Sequence, residues 1–100
     1  MKNGKKEKVF ISGRVSGLNY RYACDLFRDA EKILKSNGYE VVNPTKICKV
    51  KWCWWHSMLV CLYSMLKCDI VYFLKKHEES KGSRIELKVA RLFRKSIVFE

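Results

Sequence analysis

Short apolar runs alternate along this chain with longer segments in which apolar residues recur at helical spacing. The short runs are rich in β-branched and aromatic residues, as buried strands are, and they cover residues 9–12, 39–42, 70–74 and 96–99. The longer segments have charged or polar residues opposite the apolar stripe and are predicted to be amphipathic helices. Asn37-Gly38 is expected to end the first helix, and the other two are expected over about residues 54–67 and 83–94.

Each predicted helix has a set of apolar residues that we expect to face a sheet. In the first helix the set is Ala23, Phe27, Ala30 and Leu34, widened by Leu26 and Ile33. The sets of the second and third helices are Leu59, Leu62 and Leu66, and Ile85, Val89, Leu92 and Phe93.

The order β-α-β-α-β-α-β predicts a parallel sheet with helices on both faces. Right-handed crossovers favour the strand order 2-1-3-4. Neither a repeat nor a linker interrupts the pattern, so residues 1–100 are expected to form one domain. The expected fold is a small doubly wound α/β domain, flavodoxin-like or Rossmann-like, with a four-stranded sheet and three helices.

The main candidate for a binding site lies where the loop after the third strand leads into the third helix. Its residues are Ser80-Lys81-Gly82-Ser83-Arg84-Ile85-Glu86. Ligands of doubly wound sheets bind at the carboxyl ends of the strands, where the N–H groups of a helix start attract anions. Glu86 is then either a reactive carboxylate beside a bound phosphate or sugar, or half of a capping box in which Ser83 is the N-cap.

The chain of 100 residues has a formal net charge of +11. A basic surface favours nucleic acid, phosphorylated ligands or acidic partners without choosing among them. No zinc-finger or RNA-recognition pattern accompanies the charge, so nucleic acid is not the favoured partner. No apolar run is long enough to span a membrane and the first residues lack the apolar segment of a signal peptide, so we expect a cytoplasmic protein.

The odd number of cysteines, five, indicates reduced thiols that mostly pack as small hydrophobic residues. The segment Cys48-x4-Cys53-x2-His56-x4-Cys61 contains enough ligands for zinc, but its spacing matches no standard structural site. We therefore predict neither a metal nor another cofactor.

Four segments together resemble a known family. They are residues 10–18 (FISGRVSGL), Asn43-Pro44, Cys68-Asp69-Ile70 and residues 80–86 (SKGSRIE). The chain is similar over nearly its whole length to small phage and bacterial proteins of the DUF4406 type, within the nucleoside 2-deoxyribosyltransferase-like superfamily.

The resemblance implies an N-glycosidase or deoxyribosyltransferase that acts on a nucleoside or nucleotide. In the superfamily, a glutamate at the start of the last helix attacks the anomeric carbon, and a base or water then takes the sugar. Glu86 matches that glutamate. A carboxylate there stabilises an oxocarbenium-like transition state and can bond to it, as in retaining glycosidases.

The resemblance also implies which residues bind the substrate. Ser80 matches a position that contacts phosphate in nucleotide-using members, and Arg14, Ser16 and Gly17 are expected to complete the phosphate cradle. The full expected set of substrate-binding residues is Gly13, Arg14, Ser16, Gly17, Asn43, Ser80, Gly82 and Ser83.

Two residues depart from the pattern of active relatives. Phe10 stands where they have a tyrosine that orients the carboxylate, and Cys61 stands where they have an aspartate that handles the proton of the departing base. His56 is a further candidate for that proton, although helix geometry does not place it on the face of Cys61. Two alternatives to the enzyme therefore stay open: a nucleotide-binding module with little or no turnover, and a basic protein-interaction protein.

Three tryptophans flank the second loop: Trp52, Trp54 and Trp55. Such a residue can stack on a base or pack against a neighbouring subunit. Members of the superfamily are commonly oligomers, and we expect a homo-oligomer here.

Overall fold

The computed structural model describes residues 7–14, 19–48, 53–75 and 77–100. Its strands are β1 (Lys8–Ser12), β2 (Glu40–Val42), β3 (Ile70–Phe73) and β4 (Ser96–Phe99). They form one sheet with the order β2-β1-β3-β4, in which every neighbouring pair is parallel. This confirms the predicted α/β fold and its strand order.

The helices connect the strands as the pattern predicts, with two short additions. Long helices are α1 (Tyr20–Ser36), α3 (Trp54–Leu66) and α4 (Lys81–Leu92). A one-turn helix, α2 (Pro44–Ile47), follows β2, and a 3₁₀ turn covers His77–Glu79. No helix within the described residues is both long and apolar enough to cross a membrane.

The core has two parts because successive residues of β1 point to opposite faces of the sheet. Phe10 packs with Met65 of α3 and Ala90 of α4. Ile11 packs on the other face with Phe27 of α1. The sheet is therefore covered by α1 on one side and by α3 and α4 on the other.

Several residues expected in the core are exposed instead. Ile33 and Leu26 of α1 are exposed, as are Leu59 and Leu66 of α3 and Leu92 and Phe93 at the end of α4. In α3 the buried residues are Met58 and Met65, one position before Leu59 and Leu66, whereas the predicted Leu62 does pack against the core. The α3 sequence is apolar on nearly all sides, so its spacing could not identify the inner face. The contact with the sheet decides it.

The start of the last helix also differs from the prediction. Ser80, not Ser83, is the N-cap of α4, and its hydroxyl accepts a hydrogen bond from the Ser83 N–H. Ser83 lies inside the first turn and is buried. The capping box between Ser83 and Glu86, which was the alternative interpretation of these residues, is therefore not formed, and the Glu86 side chain accepts a hydrogen bond from Ser12 instead.

Candidate functional site

A cavity of about 330 Å³ opens at the carboxyl end of β1. Its walls come from the end of β1, from α1, from the α2 region, from α3 and from the start of α4. In that order the lining residues are Ile11, Ser12 and Gly13; Tyr20 and Phe27; Pro44, Thr45 and Cys48; Trp54, Ser57, Met58 and Cys61; and Ser80, Gly82, Ser83 and Glu86.

Glu86 lies in the wall of this cavity, in the second turn of α4, and only 6% of it is exposed. The Ser12 hydroxyl donates a hydrogen bond of 2.5 Å to Oε1 of Glu86. The Ser12 and Ser83 hydroxyl oxygens are 3.0 Å apart. Since Ser12 has one hydroxyl proton and gives it to Glu86, the Ser83 hydroxyl donates to Ser12. The two serines thus hold the carboxylate in one orientation.

Burial changes the acidity of this carboxyl group. It raises the pKa of Glu86 from 4.5 to about 7, and the Ser12 hydrogen bond only partly opposes the rise. Near neutral pH both forms of Glu86 are therefore populated. The ionised form can act as a nucleophile or a base, and the protonated form can act as an acid.

The start of α4 has the features of an anion site. Ser80 and Gly82 line the cavity beside Glu86. The first N–H groups of a helix have no carbonyl partner within it, and the helix dipole adds positive potential there. Lys81, at the first position of α4, lies with its Nζ 5.5 Å from the ring of Trp54. A phosphate or another anion at this end of the cavity would meet the free backbone N–H groups at the start of α4.

Gly13 is required by packing at the other side of the cavity. A Cβ atom on Gly13 would lie 2.8 Å from Cδ1 of Leu74 and 3.1 Å from Cζ of Phe27. Gly82 has no such restriction, because the nearest atom to its Cβ would be Sδ of Met58 at 3.4 Å. The two glycines of the predicted site therefore have different roles, and Gly13 holds the end of β1 against the core.

The opposite wall is mainly apolar and contains two thiols. Trp54 and Tyr20 supply aromatic surface, to which a planar base can pack. Cys61 lies beside Cys48, with 3.4 Å between their Sγ atoms. Burial, with further contributions from the charges of Glu86 and Cys48, raises the pKa of the Cys61 thiol far above its ordinary range. Cys61 is therefore protonated at neutral pH.

Some predicted site residues lie away from the cavity. Arg14 is paired with Glu79 at 2.9 Å, and Asn43 caps α2 while it donates a 3.1 Å hydrogen bond to the buried Glu31. His56 is exposed on α3 and does not line the cavity. Ser16, Gly17 and Trp52 lie outside the described residues.

Other residues of the cavity were not predicted from the sequence. Ser12 matters most, because it supplies a hydroxyl to Glu86 although Phe10 lacks one. Phe10 itself is fully buried in the core. The sequence signal that could have identified Ser12 is its position as the last residue of a buried strand, directly before a glycine. Tyr20 and Cys48 gave no comparable signal, since only the folded chain brings them to the cavity that Glu86 lines.

Within the described residues no group of three or more histidine, cysteine, aspartate or glutamate side chains is placed to hold a metal ion. The fold and the site together define an α/β domain with a doubly wound parallel sheet and a buried glutamate, Glu86, near the start of the last helix. The family model described as "Domain of unknown function (DUF4406)" matches residues 7–99, and the chain therefore belongs to that family. A comparison with curated proteins found no match.

Proposed function

We propose that this protein binds a deoxynucleotide in the cavity and cleaves or transfers its N-glycosidic bond, with Glu86 as the nucleophile. The observation that carries the proposal is the position of Glu86. It is a buried carboxylate at the wall of a cavity, oriented by Ser12 and adjacent to the start of α4. The reaction needs no metal or other cofactor.

In the proposed complex the phosphate lies at the start of α4 and the base lies against the apolar wall. The free N–H groups near Gly82 and the hydroxyl of Ser80 face the phosphate, and Trp54 or Tyr20 packs on the base. A nucleotide is favoured over a nucleoside because Ser80, rather than an acidic residue, stands beside the free N–H groups at the start of α4.

The reaction proceeds in two steps. An oxygen of ionised Glu86 bonds to the anomeric carbon while the bond from that carbon to the base nitrogen breaks, and a water molecule gives the departing base a proton. Water or a second base then attacks the same carbon, loses a proton to the solvent and releases ionised Glu86. Because the pKa of Glu86 is about 7, the first step should accelerate as the pH rises through neutrality.

Release of the free base from the four deoxynucleoside monophosphates, followed by chromatography, tests the proposal. We expect release by the native protein and none by Glu86→Ala or Glu86→Gln. Glu78→Gln is the matched control because Glu78 is exposed on the 3₁₀ turn. Equal release by the native and Glu86 variants would refute catalysis by Glu86.

A second function is favoured by Cys61, namely nucleotide binding with little or no turnover. The resemblance implies a proton-handling aspartate at this position, and loss of such a group typically slows a reaction by about 10²–10⁴-fold. The Cys61 thiol is a poor replacement because its pKa is raised. Calorimetry should then show nucleotide binding without base release, and Cys61→Asp should increase the rate. Absence of binding to folded protein would instead favour the basic protein-interaction role.

A further inference from the structure

Two thiols from different helices meet in the wall of the cavity. Cys48 caps the carboxyl end of α2, and Cys61 lies within α3. Both line the cavity, and their Sγ atoms are 3.4 Å apart. The Cys48 thiol also approaches the carbonyl oxygen of Ser57, at 3.8 Å, so it is held between two parts of α3. A disulfide bond is about 2.05 Å long, and small side-chain rotations can close the remaining gap.

The other cysteines differ from this pair. Cys53 is exposed, Cys24 is half-buried on α1, and Cys68 is buried with its thiol 3.4 Å from the Ser64 carbonyl oxygen. All five are free thiols in the structure. The chain thus contains one close pair at the cavity and a set of thiols that can serve as internal controls.

We propose that Cys48 and Cys61 are a redox modification site, at which a peroxide forms a reversible disulfide that joins α2 to α3 and alters the cavity. The consequence for ligand binding rests on the nucleotide-binding function proposed above. The disulfide itself does not depend on that function.

The chemistry balances with hydrogen peroxide as the oxidant. The Cys48 thiol loses its proton and the thiolate attacks one peroxide oxygen. The O–O bond breaks, which forms a sulfenic acid and a hydroxide, and the hydroxide takes up the released proton and becomes the first water. The sulfur of Cys61 then attacks Sγ of Cys48, and the hydroxyl leaves with the Cys61 proton as a second water. Two thiols thereby lose two electrons and two protons to the peroxide. A small thiol reverses the reaction by exchange.

The order of attack follows from the surroundings of the two sulfurs. Burial keeps the Cys61 thiol protonated, so Cys61 is the poorer nucleophile for the first attack. Its short distance to Cys48 places it to react second, when its proton passes to the departing hydroxyl as the S–S bond forms. Cys48 lies at a helix end that lines the open cavity, where a small oxidant can enter.

The disulfide would change the site in two ways. It would fix the end of α2 against α3, and it would replace two thiols that face the cavity near Glu86 with a rigid bridge. We therefore expect the oxidised protein to bind a nucleotide more weakly, by about tenfold or more.

Peptide mapping tests the modification site. Trypsin would leave Cys48 in residues 47–49, but Cys53 and Cys61 together in residues 52–67. The Cys53→Ser variant removes this ambiguity. After treatment of the folded variant with hydrogen peroxide, we expect these two fragments to be linked, and to separate after addition of dithiothreitol. In the same background, Cys48→Ser and Cys61→Ser should each abolish the link.

Recovery of the two fragments unlinked from folded, peroxide-treated protein would overturn the proposal, as would a link from Cys48 to Cys24. Calorimetry with the four deoxynucleoside monophosphates then compares the reduced and oxidised forms. Equal affinity would refute the effect on binding. If no nucleotide binds the reduced protein, the nucleotide function and its regulation fail together, while the mapping still decides whether the disulfide forms.

Discussion

Replacement of Glu86 by glutamine should stabilise the protein, and the size of the effect should depend on pH. The pKa of Glu86 is raised by burial from 4.5 to about 7, so the folded state binds this proton more tightly than the unfolded state does. The group therefore contributes most to stability at low pH, and the contribution is lost as the pH rises from 4.5 through about 7. Above that range the folded protein retains an ionised carboxylate in a buried site.

The magnitude follows from the shift. A rise from 4.5 to about 7 corresponds to about 3 kcal/mol of unfolding free energy, a large part of the roughly 5–15 kcal/mol typical of a domain. Glutamine has the shape of the protonated acid and keeps an oxygen that can accept the Ser12 hydrogen bond. Glu86→Gln should therefore resemble the native protein near pH 4 and exceed its stability by about 3 kcal/mol near pH 8.

Urea unfolding of both proteins under reducing conditions, at intervals between about pH 4 and about pH 8, measures this difference. The contributions of the other titrating groups cancel when the two curves of unfolding free energy against pH are subtracted. Glu78→Gln is again the matched control and should show no comparable pH dependence, because Glu78 is exposed. A difference between native and Glu86→Gln that is constant with pH would refute the reasoning. The expected result would mean that the site keeps a costly charge, as reactive groups often do.

Three other predictions concern packing, charge and assembly. Gly13→Ala should lower the unfolding free energy by about 1–3 kcal/mol, because the new Cβ would lie 2.8 Å from Leu74. Gly82→Ala is the control and should be neutral or slightly stabilising, so equal effects of the two variants in denaturant unfolding would contradict the prediction. Glu31→Gln should lower the unfolding free energy at neutral pH, because hydrogen bonds to the Glu31 carboxylate outweigh the effect of its burial and lower its pKa to about 2. In denaturant unfolding, this loss should disappear as the pH falls from 4.5 towards 2. Light scattering at high micromolar concentration should give a mass above the 11.9 kDa of one chain, and Leu59→Glu should reduce it; a monomer in both cases would exclude the predicted homo-oligomer.

The order of the elements was predictable because each strand is a short apolar run between segments of helical spacing. With that order known, the right-handed crossover rule leaves few arrangements, and the strand order 2-1-3-4 is confirmed. The placement of Glu86 near the carboxyl end of β1 follows from the same rule. The residues of the loop before it were predicted as binding residues because ligands of such sheets bind at that edge.

The inner face of α3 was not predictable in the same way. This helix has the sequence WWHSMLVCLYSML, in which apolar residues surround the axis. Leu59 was expected in the core, but Met58 and Met65 are buried instead. The rotation of the helix places Cys61 in the cavity and leaves His56 exposed.

The amino-acid sequence alone determines the succession of strands and helices here, because hydrophobic periodicity is a local property of the chain. It also identifies Glu86, which lies next to a recognisable loop. Only the tertiary structure brings Ser12 to Glu86 and Cys48 to Cys61, since these pairs are 74 and 13 positions apart. The raised pKa of Glu86 belongs to the folded protein as well, because burial causes it and burial exists only once β1, α3 and α4 have packed together.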